Sequence, residues 1–144
     1  MTWQRVRIEI PEGYAPSDRE AIASDIRQYI IDRTATGVGV KGEGRRARLY
    51  DFPEYTPAYR NFKGPGNVNL RLSSEMLDAM EVLSVGRDSV LIGYENGTEQ
   101  NDKAEGNITG SYGKPKPNPR KARNFLGMTT TELESILAAY DRQA

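Results

Sequence analysis

Apolar positions along this 144-residue chain alternate, then recur at helical spacing, then alternate again. In Arg5-Val6-Arg7-Ile8-Glu9-Ile10 every second residue is apolar. That pattern predicts a half-buried strand with Val6, Ile8 and Ile10 on one face. Pro11 and Gly13 end it. Ser17 and Glu20 have the spacing of a capping box. Ile22, Ile26, Tyr29 and Ile30 follow at helical intervals, which predicts a helix from about Asp18 to Thr34 with one face in the core. Gly37 is its expected stop.

The middle of the chain is less regular. Leu49 to Tyr59 is rich in aromatics but interrupted by Pro53 and Pro57, so it is no continuous helix. Asn61 to Asn67 is turn-rich. Val68 to Leu72 alternates as a short strand. Ser73 or Ser74 then caps a helix whose Met76, Leu77 and Met80 share a face. The plainest β signal is Val82-Leu83-Ser84-Val85, a polar turn through Gly86 to Ser89, and Val90-Leu91-Ile92-Gly93-Tyr94. It predicts a hairpin.

Asn96 to Gly113 is polar and glycine-rich. Glu99 to Asn107 has the makings of a short helix, with little to bury beyond Ala104 and Ile108. Next comes an arm from Lys114 to Arg123. Its prolines at 115, 117 and 119 fix φ and remove backbone donors, which predicts an extended, polyproline-like path. Phe125 and Leu126, followed by Gly127, anchor the arm to the core. In the final helix Leu133, Ile136, Leu137 and Tyr140 form the apolar stripe. Thr129 with Glu132, or Thr131 with Glu134, supplies its cap.

Helices mixed with antiparallel strands, rather than alternating with parallel ones, predict an α+β domain. We expect a small, mostly antiparallel sheet with the N-terminal and C-terminal helices packed on one face. The length suits one domain spanning 1–144, with flexible loops at about 37–48 and 95–118. No apolar run approaches a membrane span, and Met1 to Arg5 carries no apolar export signal.

Composition removes several chemistries. Cysteine is absent, so disulfides and thiolate metal sites are out. Histidine is absent too, which removes the commonest general base and metal ligand. No local pairing of a nucleophile with a base stands out. Gly37 to Gly42 matches G-x-G-x-x-G in letters, but a dinucleotide site needs a strand before it and a helix start after it. Here a helix precedes and Glu43-Gly44-Arg45-Arg46 follows, so the stretch reads as a flexible basic loop. Glu99, Asp102 and Glu105 could share a helix face, but a hard cation needs a fuller ligand set. We expect no catalytic residue, no metal and no cofactor.

Charge adds a positive indication. Twenty basic and twenty acidic residues cancel, yet they are segregated. Lys41, Arg45, Arg46 and Arg48 crowd around a lone Glu43. Lys114, Lys116, Arg120, Lys121 and Arg123 occupy the arm without an anion, and Glu95 to Glu105 is mostly acidic. Subunits use such segregation to dock in register.

The order of motifs resembles small neck and tail-completion proteins of tailed bacteriophages. Tyr55-Thr56-Pro57-Ala58-Tyr59-Arg60-Asn61-Phe62-Lys63 is similar to that family's aromatic segment. Leu70 to Leu77 is similar to its following leucine-rich stretch, and the hairpin ending Val90 to Tyr94 resembles the strand pair after it. Pro119 to Gly127 resembles its proline, arginine, phenylalanine, leucine, glycine signature before the last helix. Ser73-Ser74 replaces the usual Thr-Gly, and the segment after the hairpin lacks the usual histidine. Tail completion, tail terminator and head-closure adaptor therefore all stay open.

The resemblance implies a non-catalytic virion protein that forms a ring, commonly sixfold, between tail tube and head connector. Its place would be the neck of the virion, reached from the host cytoplasm during assembly, with no membrane involved. Implied partners are further copies of itself, the head connector or adaptor, and tail-tube or tail-terminator proteins, with non-specific contact to genomic DNA in the channel.

The expected contact residues are Arg45, Arg46, Arg48, Tyr55, Tyr59, Glu99, Asp102, Lys116, Arg120, Lys121 and Arg123. Phe125, Leu126 and Gly127 are the structural anchor. The expected joint is the arm of one subunit against the acidic Glu95–Glu105 loop of its neighbour. The alternative is a small nucleic-acid-binding protein that uses basic segments 41–48 and 114–123.

Overall fold

The computed structural model describes residues 2–53, 74–111 and 116–141. The element order is β1 (Arg5–Glu9), α1 (Pro16–Ala35), β2 (Val38–Lys41), a 3-10 turn (Gly44–Arg46) and β3 (Arg48–Asp51). After residues 54–73 it continues with α2 (Ser74–Asp78), β4 (Glu81–Val85), β5 (Ser89–Gly93), α3 (Glu99–Thr109) and α4 (Thr130–Asp141). The fold is α+β. Tyr55, Tyr59 and the expected strand at Val68 to Leu72 lie outside the described residues.

A three-stranded antiparallel sheet runs β1-β5-β4, with β5 in the middle. Val6 pairs with Ile92 and Ile8 with Val90, so the alternation in β1 and β5 puts both apolar sets on one face. On β4 the partners are Val82 with Ile92 and Val85 with Val90, and a bulge intervenes between Val82 and Ser84. The extra residue reverses the parity of the strand. Two valines three apart in sequence therefore share the buried face, which strict alternation forbids.

α1 packs against β4, β2 and α4. Its buried stripe is Ile22, Ala23, Ile26, Ile30, Arg33 and Thr34. Tyr29, expected in that stripe, is instead exposed. The expected capping box at Ser17 and Glu20 is not formed. The helix begins earlier, at Pro16, with Ala15 as an N-cap that makes no side-chain bond. Proline at the first helical position has the required φ already set, and its missing N–H falls where a donor would be orphaned. Ser17 is then inside the helix and cannot cap it. The stop is as expected: Thr36 closes the helix and Gly37 follows at φ +87°.

The stretch read as a flexible basic loop is half strand. β2 and β3 form a second, two-stranded sheet with Val38 opposite Asp51 and Lys41 opposite Arg48. Gly39 sits in this strand because two other groups occupy the space of a side chain. A Cβ there would lie 2.2 Å from the Asn124 carbonyl oxygen and 2.3 Å from the Phe52 ring. The glycine marks a close approach, not flexibility.

The segment around the polar, glycine-rich stretch also differs. α3 spans eleven residues, its N-terminus capped by Thr98 Oγ1, which accepts from the Asn101 N–H at 3.2 Å. Its buried face includes Asn101, Ala104 and Asn107, two of them polar and so invisible to hydrophobic periodicity. Asn101 earns its place by bonding. Its Oδ1 accepts from the Gln4 N–H at 2.7 Å and its Nδ2 donates to the Thr2 carbonyl at 3.1 Å. These bonds stitch the lead-in of β1 to the helix.

α4 has the first of the two expected caps. The Thr129 N–H donates to Glu132 Oε1 at 2.9 Å, and the Glu132 N–H donates to Thr129 Oγ1 at 3.2 Å. The core gathers Ile8, Ile10, the apolar residues of the α1 stripe, Met76, Leu77, Met80, Ile92, Tyr94, Phe125, Leu126 and Leu137. Tyr94 and Phe125 meet edge to face with ring centroids 6.3 Å apart.

Candidate functional site

Three features stand out, and the first explains how the anchor is held. Arg33 projects from the apolar stripe of α1 into the interior, with its side chain 6% exposed, and meets Glu132, 4% exposed, at 2.9 Å. The same guanidinium donates to the carbonyls of Gly127 at 3.1 Å and Phe125 at 2.7 Å. Glu132 thus serves two ends at once, capping α4 and neutralising Arg33. Phe125 is fully buried, and Leu126 and Gly127 are buried beside it. The anchor is therefore bound by a polar node as well as by its apolar side chains. The available signal was a charged residue at a stripe position, since a buried charge demands a partner. Glu132 was legible as a cap but not as that partner.

The second feature is the β2–β3 hairpin. Residues 41–46, Arg48 and Leu49 are all exposed. Arg45 and Arg46 lie in the 3-10 turn at its tip and Arg48 starts β3. Leu49 is 47% exposed, one of two large apolar side chains so placed among the described residues. Lys41 lies 4.5 Å from the centroid of the Tyr50 ring. The Tyr50 hydroxyl, which donates to the Ala122 carbonyl and accepts from the Asn124 N–H, holds the hairpin base to the anchor segment.

The third feature lies at the other end of α1. Pro11, Glu12, Gly13, Tyr14, Ala15, Asp18, Tyr140 and Asp141 line a cleft of about 640 Å³. Among the described residues, no basic side chain lines it. Tyr14 donates to Asp141 Oδ1 at 2.5 Å, and Tyr140 donates to Asp25. The bond to Asp141, with some burial and the nearby charge, pushes the Tyr14 hydroxyl up to about 12. Burial first, then the bond to Asp25, pushes Tyr140 to about 12 as well.

Those shifts make a prediction. A tyrosine held neutral above its ordinary value of 10 contributes stability that is fully present below pH 10. That stability is lost as the pH rises from 10 towards 12. Denaturant unfolding measured from pH 9 to 12 is expected to show the decline. Changing both Tyr14→Phe and Tyr140→Phe is expected to lessen it, the remainder coming from Tyr94 and Tyr29, which burial also pushes up; parallel curves for the two proteins would refute the bonding described.

The other expected contact residues divide. Lys116, Arg120 and Lys121 are exposed. Arg123 is not: it is 2% exposed and its guanidinium donates to the Pro53 carbonyl at 2.8 Å. It belongs to the interior, because the chain has to turn inward there to deliver Phe125. The arm from Asn118 onward is a turn rather than an extended strand. The Lys121 N–H donates to the Asn118 carbonyl at 3.0 Å, and the Arg120 N–H to Asn118 Oδ1 at 3.1 Å. An asparagine side chain that folds back on the backbone wins over the polyproline preference of its neighbours.

The turn is fastened to the C-terminal end of α3 in the same chain, where the Asn118 N–H donates to the Thr109 carbonyl at 2.9 Å. Gly110, at φ +77°, lets it come so close. Arg120 and Lys121 therefore stand beyond a helix C-terminus, a favourable place for cations. Glu99 is exposed and paired with Lys103 of its own helix at 3.3 Å, while Asp102 is half-buried. Glu105 accepts from the Thr2 N–H at 3.1 Å.

Among the described residues, no group of three or more acidic side chains is arranged to hold a metal ion. None of the described helices is long and apolar enough to cross a membrane. The G-x-G-x-x-G letters fall on β2 and its two flanking glycines, and only a three-residue 3-10 turn, Gly44–Arg46, follows among the described residues, not the α-helix a dinucleotide site needs. Comparison with protein-family models, with curated proteins and with solved structures finds no match to this chain.

Proposed function

We propose that this chain is a structural subunit of the neck of a tailed bacteriophage, a tail-completion, tail-terminator or adaptor protein. In that role it forms a ring that joins the tail tube to the head connector, and it works by assembly rather than by catalysis. The observation that carries the reading is the placement of the signature run before the last helix. Phe125, Leu126 and Gly127 sit at the convergence of α1, the β2–β3 hairpin and α4, clamped by Arg33 and Glu132. A run so placed sets how the exposed basic hairpin and the turn at Arg120 and Lys121 are presented. The exposed hairpin cations also support the reading, since charged rims set register between subunits.

Sedimentation velocity with negative-stain microscopy, on the protein alone and mixed with tail tubes, tests this. Rings, or particles capping one end of each tube, are expected. A protein that stays monomeric and never decorates a tube or connector would refute it.

The exposure of Arg45, Arg46, Arg48, Lys116, Arg120 and Lys121 favours one second reading, phosphate contact with nucleic acid. Its signature would be duplex DNA binding that weakens steeply with added salt, because bound counterions are released. An absence of binding at low salt would remove it.

A further inference from the structure

The charged features of this chain lie at opposite ends of one rigid helix. α1 has twenty residues, and a helix of that length spans about 30 Å. Its first turn, with Asp18, lines the acidic tyrosine cleft. Its last turn leads through Gly37 into the basic hairpin. No hairpin residue lines the cleft of its own chain.

We propose that the hairpin tip of one copy docks in the acidic tyrosine cleft of a second copy. This rests on the self-assembly part of the reading above and assigns its joint to faces other than the arm. The occupant follows from chemistry. The tip presents Arg45, Arg46 and Arg48 beside exposed Leu49. The cleft offers Glu12, Asp18 and Asp141 with the rings of Tyr14 and Tyr140. A guanidinium pairs with carboxylates and stacks on tyrosine rings, which lysine does less well. Both tyrosine hydroxyls are already bound to aspartates, so the acceptors and rings are held in place before docking. At about 640 Å³ the cleft has room for more than one side chain.

Because the two faces differ and lie at opposite ends, the contact is head-to-tail. Such a contact closes into a ring if the rotation between copies permits. The arm, by contrast, is fastened to α3 of its own chain, and Arg123 is buried.

Charge exchange tests the joint. One variant carries Arg45→Glu and Arg46→Glu, a second carries Glu12→Lys and Asp18→Lys, and a third carries all four changes. Arg45, Arg46 and Glu12 are exposed and Asp18 is half-buried, and circular dichroism checks that each variant is folded. Assembly is read by sedimentation velocity, alone and on tail tubes. The first two variants are expected to self-associate at least about 100-fold more weakly than wild type, since each sets like charges face to face. Mixing them restores assembly, and so does the four-fold variant, because opposite charges again meet.

If wild type assembles and the first variant assembles equally well, or if mixing restores nothing, the joint is elsewhere and the ring reading stands. If wild type neither self-associates nor caps tubes, both readings fall. If wild type stays monomeric but binds duplex DNA, and the first variant alone loses that binding, the hairpin serves nucleic acid and the proposed joint is overturned.

Discussion

Glu132→Ala is expected to destabilise the protein by about 3–5 kcal/mol, the usual loss when one member of a buried ion pair is removed. The charge left behind has nowhere to go. Arg33 is enclosed by α1, the anchor segment and the start of α4, and its remaining acceptors are the Phe125 and Gly127 carbonyls. The substitution also removes the acceptor for the Thr129 N–H, and a lost cap alone costs about 1 kcal/mol. For a chain of this size the melting midpoint should fall by roughly 10 °C.

Urea unfolding of three variants separates the parts. Glu132→Gln keeps an acceptor for the cap but not the charge, and should lose less than Glu132→Ala. The pair Arg33→Met with Glu132→Leu should lose less than either charge deletion alone, because no charge is left stranded. A loss below about 1 kcal/mol for Glu132→Ala, against the 3–5 expected of a buried pair, would show that the node does not hold the anchor.

Gly39→Ala should also be strongly damaging. The added methyl would sit 2.2 Å from a backbone oxygen and 2.3 Å from a buried ring. Neither neighbour is the loose end of a flexible side chain. The Asn124 carbonyl accepts from the Val40 N–H at 2.9 Å, and the Asn124 side chain donates to the Val40 carbonyl at 3.0 Å. Phe52 is buried and meets Tyr50 edge to face. Something must move, and overpacking of this kind costs about 3 kcal/mol, the upper part of the usual range. Gly86→Ala is the control, since its Cβ would lie 3.4 Å from the nearest atom and should be tolerated. If the two variants unfold at the same urea concentration, the close approach at Gly39 is not as described. The hairpin base rests on this contact, so Gly39→Ala should also disturb whatever the hairpin tip binds.

The parts of the molecule that were legible in advance are those whose pattern is local. Val6, Ile8 and Ile10 announce β1 because side chains alternate along a strand. Ile22, Ile26 and Ile30 announce α1 because a helix brings them to one side. Thr129 and Glu132 announce the start of α4 because each satisfies the other's backbone within one turn. The hairpin β4–β5 was legible as a pair, but its bulge was not, since a valine spacing of three on β4 acquires meaning only against β5. The capping box at Ser17 failed for a local reason: Pro16 competes for the same helix start.

The candidate site was legible in part. Arg45, Arg46 and Arg48 were singled out by charge, and they are exposed on a hairpin tip. Arg123 was grouped with them by the same criterion and is buried, because charge says nothing about which way the chain turns. The cleft at Tyr14, Asp18 and Asp141 left no sign at all. Its residues come from the two ends of the chain, and Tyr14 meets Asp141 across 127 positions.

Local pattern was enough for the α+β class, the core face of β1, most of that of α1, the end of α1 and the cap of α4. These follow from repeat distances of a few residues, which the chain carries wherever it goes. Only long-range packing placed Gly39 in a strand, through Asn124, which bonds to Val40 across 84 positions. It likewise decided that Arg33 and Glu132 pair, that the arm folds back on α3, and that opposite charges end up at opposite ends of α1. Each depends on a close approach between remote segments, and the free energy of such an approach comes from burial and bonding that exist only once both segments are in place.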